Sequence, residues 1–257
     1  MEQLLPPGSA ADVRTLAGLA EAYAYPPREA GAYLRANMVA SLDGAAYHEE
    51  HSAGLSSPAD MRLFGTLRAL ADVIVVGAET VRREGYGPAK ARSVFAERRA
   101  ADGQTPAPAI AVASRALDLD FGAPLFTSAE VPTLVLTGAG ADPARLAAAR
   151  QAGVHVVVAG EGAGADPLRV VAELAALGHV RLLHEGGPRL LAQFTAAGAV
   201  DELCLTVAPL VSGGGAPRIM NGPPVTGPDG TAPASFVPVS VLTEVGFLFT
   251  RYVRAAA

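Results

Sequence analysis

The chain has 257 residues, half of them hydrophobic, with 20 lysines and arginines against 25 aspartates and glutamates and a net charge of -5. That length allows one large α/β domain or two small ones, and the apolar content is ample for a core. No basic run exceeds two neighbours, which leaves no stripe to neutralise a phosphodiester backbone and argues against a nucleic-acid partner. No apolar stretch approaches the roughly 18 residues of a membrane span. The opening MEQLLPPGSAADVR lacks a basic region followed by an apolar one, so the expected location is the cytoplasm. The single cysteine, Cys204 in ELCLTVAPLV, excludes an internal disulfide and a multi-cysteine zinc site, and it reads as a small core residue.

Residues 1–30 read as an N-terminal extension ahead of a single domain over 31–257. YLRANMVAS at 33–41 and DVIVVG at 72–77 predict strands. Between them Ser57 as a hydroxyl cap, Pro58 at the first helical position and Asp60 in the first turn announce a helix, completing a βαβ unit. Strands follow at 109–113, 133–137, 154–158, 180–184 and 202–211, with helices at 143–151, 167–177 and 188–197. Such alternation predicts a mostly parallel sheet covered by helices on both faces. Residues 240–254 break the pattern with two β-rich halves around Gly246, which predicts antiparallel strands at the sheet's edge. Val241, Leu242, Phe247 and Phe249 there suit a dimer face or a buried core equally. Two segments, 85–107 and the Gly- and Pro-rich 212–236, read as long mobile loops, and no internal repeat is present.

Parallel α/β sheets bind ligands outside the carboxyl ends of their strands. At one such end stands HEGGPRLL, 184–191, where Gly186 and Gly187 allow close backbone approach and the next helix offers its N-terminal amides to an anion. A pyrophosphate fits; a plain strand-to-helix turn needing glycine angles fits as well. Ser114 and Arg115, at another strand end, supply a hydroxyl and a planar guanidinium suited to a phosphorylated ribose. Gly77, followed by Thr80 and a first-turn Glu84, marks a third strand end, although threonine in a first turn is commonly only a cap.

Three rivals compete. GEGAGA at 160–165 matches the G-x-G-x-x-G/A dinucleotide fingerprint with Glu185 about twenty positions on, but Asp166-Pro167 marks a helix start beyond the glycines. SGGGAPR at 212–218 suits a phosphate nest or a flexible turn. His48, Glu49, Glu50 and His51 are the densest group of metal-ligand types, yet lack a third ligand and sit in a loop-like context, so no metal is expected. Neither a G-x-S-x-G elbow nor the zinc-deaminase signature occurs.

Taken in order, ANMVASLDG (36–44), LSSPADMRLF (55–64), LRALADVIVVGAETVRREGYGP (67–88), LLHEGGPRLL (182–191) and VDELCLTVAPLVSGGGAPR (200–218) resemble the reductase domain of the bifunctional riboflavin-biosynthesis deaminase/reductase, and its stand-alone actinobacterial relatives in particular. The resemblance spans about 31–254. It implies a dihydrofolate-reductase-like, three-layer α/β/α fold, a homodimer, and NADPH-dependent reduction of the ribosyl chain of a phosphorylated ribosylamino-pyrimidinedione to ribityl. A separate deaminase would supply the substrate. By this likeness the cofactor contacts are Val39, Gly77, Thr80, Glu84, Ser114, Arg115 (toward the 2′-phosphate), Gly186, Gly187, Pro188, Arg189 and Leu190. Substrate contacts are Ser52, Arg68 and Glu185, and Glu185 or Asp60 orients the pyrimidine or relays a proton. Where the bifunctional enzymes place a second arginine for the substrate phosphate, this chain has Ala91 between Lys90 and Arg92. Two alternatives stay open: reduction of dihydrofolate or another pterin-like ring, with Asp60 pairing to it, and a non-catalytic dinucleotide-binding protein.

Overall fold

The computed structural model describes residues 1–6, 11–222, 224–227, 230 and 233–255. Its strands are β1 (Glu2–Leu5), β2 (Tyr33–Ala40), β3 (Val73–Gly77), β4 (Ala109–Ala113), β5 (Leu134–Thr137), β6 (His155–Val158), β7 (Arg181–His184), β8 (Glu202–Val207), β9 (Phe236–Glu244) and β10 (Phe247–Arg254). The helices are α1 (Leu16–Ala22), α2 (Pro58–Leu70), α3 (Ala78–Glu84), α4 (Ala96–Ala101), α5 (Pro124–Thr127), α6 (Pro143–Gln151), α7 (Pro167–Ala176) and α8 (Pro188–Ala196). The strands form one mixed sheet in the order β1-β9-β10-β8-β2-β7-β3-β4-β5-β6. The chain also resolves into two compact units, one of Met1–Pro26, Tyr33–Leu67 and His184–Ala257, the other of Pro27–Ala32 and Arg68–Leu183.

In the first unit β2 and β8 pair in parallel, while β8, β10, β9 and β1 pair antiparallel in succession. The antiparallel edge is therefore where the sequence places it, with β9 starting at Phe236, earlier than expected. Leu242 and Phe249 are buried within the unit, which makes them core; Val241 and Phe247 keep partial exposure. Cys204 is a buried free thiol, as expected. The strand expected over 202–211 stops at Val207: Ala208 N–H still donates to Ala40 O, but Pro209 has no N–H to continue the ladder.

The expected N-terminal extension supplies two elements of this unit, β1 and α1. Tyr23, the C-cap of α1, is fully buried. Beside it Arg35 on β2 and Glu202 on β8 are wholly buried partners. Glu202 accepts from Arg35 Nε at 2.5 Å, from Arg251 Nη2 at 2.9 Å and from the Tyr33 hydroxyl at 2.9 Å. Arg35 also donates to the carbonyls of Tyr23 (2.7 Å) and Ala24 (3.4 Å), and Arg251 to that of Ala22 (2.8 Å), satisfying the end of α1. Burial would raise the Glu202 carboxyl, but Arg35 and Arg251 outweigh it and hold the group below its ordinary range.

In the second unit β3, β4, β5 and β6 run parallel in register. Val73 to Val76 are all buried, the continuous apolar run of a central parallel strand. Segment 85–107, expected as a mobile loop, instead holds a 3-10 turn over Ser93–Phe95 and then α4. Arg99 pins it: the buried guanidinium donates to the carbonyls of Ala69 and Ala71 at 2.8 Å each and of Thr105 at 2.7 Å. Six helical residues without a side-chain cap leave too little periodicity to read. The other expected loop, 212–236, falls partly outside the described residues at 223, 228–229 and 231–232.

Candidate functional site

In the first unit, β7 ends at His184 and α8 begins at Pro188. Gly186 has φ +88°, the left-handed region that favours glycine, and the Gly186–Gly187 peptide is cis. Gly187 is the N-cap of α8 and carries no side chain to cap it; the first helical bond runs from Leu191 N–H to Gly187 O at 3.0 Å. The result is a nine-residue helix with proline at its first position and an uncapped N-terminus facing a glycine turn, the geometry that receives a phosphate. Arg189 is exposed and Leu190 half-buried on the first turn. A Cβ on Gly186 would stand 3.3 Å from Met38 Sδ, so Met38 on β2, next to Val39, lies directly against the turn. Glu185, immediately before the glycines, is buried at 7% exposure.

Asp60, Ser52 and the SLDG segment share this unit. The α2 N-terminus is built as read: Asp60 N–H donates to Ser57 Oγ at 3.1 Å. The Asp60 carboxylate is buried and accepts from Ser56 Oγ at 2.6 Å and Thr206 Oγ1 at 2.7 Å. Burial raises its pKa from the ordinary carboxylate value, and the two hydroxyls offset part of that rise. Ser52 is half-buried, and its carbonyl accepts from Leu55 N–H where the 3-10 turn Ala53–Leu55 begins. Asp43 of SLDG accepts from Ser41 Oγ and from the backbone N–H groups of Ser212 (3.1 Å) and Gly213 (2.6 Å), which bring its carboxyl down to about 2. The glycine run at 212–218 is thus an anion nest in part, and the anion on those two amides is the protein's own carboxylate.

The second unit holds the other expected positions. Gly77 is the N-cap of α3, again without a side-chain cap, and Thr80 sits in its first turn. Glu84 does not: it is the last residue of α3, followed by Gly85 in the left-handed conformation. The error follows from missing α3, whose seven residues start without a capping side chain. Ser114 is buried beyond β4, its N–H donating to Leu136 O at 2.9 Å, and Arg115 is exposed with its aliphatic stem toward Gly164. Arg68 is half-buried, its guanidinium carbon 5.2 Å from the Tyr86 ring centroid. Ala91 offers its N–H to Glu130, while Arg92 lies over Phe95 at 5.3 Å.

The rival motifs have other occupations. A Cβ on Gly138 would meet Gly162 O at 1.9 Å, and the N–H groups of Gly138, Ala139 and Gly140 donate to the carbonyls of Ala163, Gly160 and Gly162. GEGAGA therefore packs backbone to backbone against 138–140, and α7 starts after it, with Asp166 capping and Pro167 first. His48 and His51 close a tight turn by mutual backbone hydrogen bonds, with Glu49 and Glu50 at positive φ. Among the described residues no group of three or more histidine, cysteine or acidic side chains is arranged to hold a metal ion. Sequence reasoning missed His184 and Asp43 as supports of the two glycine turns; Asp43 meets its two amides 169 and 170 positions away.

Among the described residues no helix is long and apolar enough to cross a membrane. No curated protein matches the chain. Among solved structures it is similar to a pyrimidine reductase-like protein from Corynebacterium diphtheriae, at 27% identity and a TM-score of 0.78, covering 93% of this chain and 99% of that one. It shares its fold with the Saccharomyces riboflavin biosynthesis reductase Rib7, at 12% identity and TM-score 0.60 over 90% of this chain and 93% of that one. The same holds for the Thermotoga maritima diaminohydroxyphosphoribosylaminopyrimidine deaminase/5-amino-6-(5-phosphoribosylamino)uracil reductase, at 14% and 0.63, over 88% of this chain and 58% of that longer one. The RibD C-terminal domain family matches residues 32–234. With its mixed, mostly parallel sheet and antiparallel edge, the chain belongs to the RibD C-terminal domain family.

Proposed function

We propose that the protein is an NADPH-dependent reductase that converts a 5-amino-6-ribosylamino-pyrimidinedione 5′-phosphate to its ribitylamino form in riboflavin biosynthesis. The observation that carries this reading is the uncapped, glycine-built N-terminus of α8 in a chain of the RibD C-terminal domain family. In it the backbone N–H groups of Gly187, Arg189 and Leu190 donate to the cofactor pyrophosphate with the helix dipole behind them, while Gly186 and Pro188 shape the turn. Val39, Gly77, Thr80, Glu84 and Ser114 add cofactor contacts, and Arg115 takes the 2′-phosphate. Ser52, Arg68 and Glu185 bind substrate, and Glu185 or Asp60 orients the pyrimidine or moves a proton. NADPH supplies the hydride when bound, while the chain's own contribution is position and electrostatics. The same reading makes the protein a cytoplasmic homodimer served by a separate deaminase.

Reduction of dihydrofolate or a related ring is the second reading, favoured by the buried Asp60 carboxyl with its raised pKa. The test is NADPH oxidation with each substrate in parallel. Turnover of the pyrimidine supports the first reading, and turnover of dihydrofolate alone supports the second. NADPH binding without either turnover points to a non-catalytic dinucleotide-binding protein. Arg68→Ala should raise KM for the phosphorylated pyrimidine about tenfold or more and leave KM for NADPH unchanged; equal effects on both would remove Arg68 from the substrate phosphate.

A further inference from the structure

Two adjacent glycines make a turn that many backbone conformations satisfy, and freezing it for a ligand costs binding energy unless the protein has frozen it already. Here the side chain of His184 does so. Gly186 N–H donates to His184 Nδ1 at 3.0 Å. The ring is fully buried and is met edge-on by Phe194 of α8, centroids 4.9 Å apart. Nδ1 as acceptor places the ring proton on Nε2, which is buried and has no hydrogen-bond partner among the described residues. An imidazole with one nitrogen unpaired is retained in an apolar setting where a leucine would pack without that cost. What it supplies there is an acceptor for one amide of the turn.

We infer that His184 is a positioning residue for the cofactor, its Nδ1 holding the Gly186–Gly187 turn in the shape that receives a pyrophosphate. The inference rests on the cofactor reading given above. Without the acceptor, the Gly186 amide is buried and unpaired, and the turn moves to satisfy it; NADPH then binds only the fraction of molecules whose turn is in the receiving shape.

The experiment compares wild type, His184→Leu and His184→Asn by nicotinamide fluorescence titration with NADPH, by steady-state kinetics and by thermal melting. Asparagine places its Oδ1 near the position of Nδ1 and restores the acceptor. The leucine variant should raise Kd and KM for NADPH about tenfold, with KM for the pyrimidine and kcat at saturating NADPH near wild type. The asparagine variant should return Kd to within about threefold of wild type. A folded leucine variant with wild-type Kd overturns the inference, as does an asparagine variant as weak as leucine, or a leucine variant that loses affinity for both substrates alike. If leucine does not fold, His184→Met, of similar volume and without a strong acceptor, takes its place under the same criteria. Wild type failing to bind NADPH instead overturns the cofactor reading itself, and the inference with it.

Discussion

Replacing Gly186 by alanine puts a Cβ on a residue with φ +88°. The left-handed conformation costs an L-residue about 1–2 kcal/mol. The steric part is small, because the atom met is Met38 Sδ at 3.3 Å, the end of a flexible thioether that can rotate aside. The backbone cost has two destinations. If the turn keeps its shape, the folded state carries it, and the melting temperature falls by about 2–4 °C per kcal/mol for a chain of this size. If the turn relaxes, stability recovers, and the cost reappears when the cofactor demands the original shape, as a rise in Kd of about 5- to 30-fold. Losses in stability and in binding should therefore sum to about 1–2 kcal/mol. Gly103→Ala is the control, since Gly103 has φ +66°, nothing lies within 4 Å of where its Cβ would stand, and it has no place in the cofactor reading. It should lose stability and keep its NADPH affinity. Thermal melting and fluorescence titration measure the two quantities, and a Gly186→Ala protein with both wild-type melting temperature and wild-type Kd refutes the reasoning.

Glu202→Gln leaves the guanidinium of Arg35 buried without its counter-charge and should cost about 3–5 kcal/mol in urea unfolding, whereas the pair Arg35→Met with Glu202→Leu should recover only part of that loss, since Arg251 and the Tyr23 and Ala24 carbonyls lose their partners; equal losses in the two proteins would show that the Arg35 charge is not the issue. The His184 ring, brought down to about 3 by burial against an ordinary value near 6.5, predicts an acid limb: the unfolded chain takes up a proton below about pH 6.5 and the folded one does not. Its contribution is complete above pH 6.5 and drains away as pH falls toward 3, by up to about 1.4 kcal/mol per unit, so His184→Leu should flatten the fall in stability measured between pH 6 and 4.

Four helix starts were legible because their chemistry is local. Ser57-Pro58, Asp142-Pro143 and Asp166-Pro167 each pair a capping oxygen with a proline at the first helical position, and Asp142 and Asp166 accept from Arg145 and Arg169 N–H as such caps do. Gly187-Pro188 shows the same proline without the oxygen, and that missing cap is what marks it as different. The rest depends on partners distant in sequence. Nothing local tells that Arg35 faces Glu202, 167 positions on, or that Asp43 reaches Ser212 and Gly213, 169 and 170 positions on. GEGAGA matches its fingerprint for a related reason: its glycines answer the backbone of residues 138–140, and a fingerprint cannot tell backbone contact with protein from backbone contact with phosphate.

The stretch matched by the RibD C-terminal domain family, 32–234, ends before the sheet does. Outside it lie β1, β9 and β10, the three successive strands that finish one side of the sheet, together with α1, whose final carbonyls receive Arg35. A polypeptide cut at those limits would present β8 as a bare edge of unpaired amides and carbonyls, with Glu202 and Arg35 deprived of Arg251 and of the α1 carbonyls. The family's matched stretch and mechanical closure draw different borders on this molecule: cut at 32 and 234, the chain would be a fragment with an edge open to other chains.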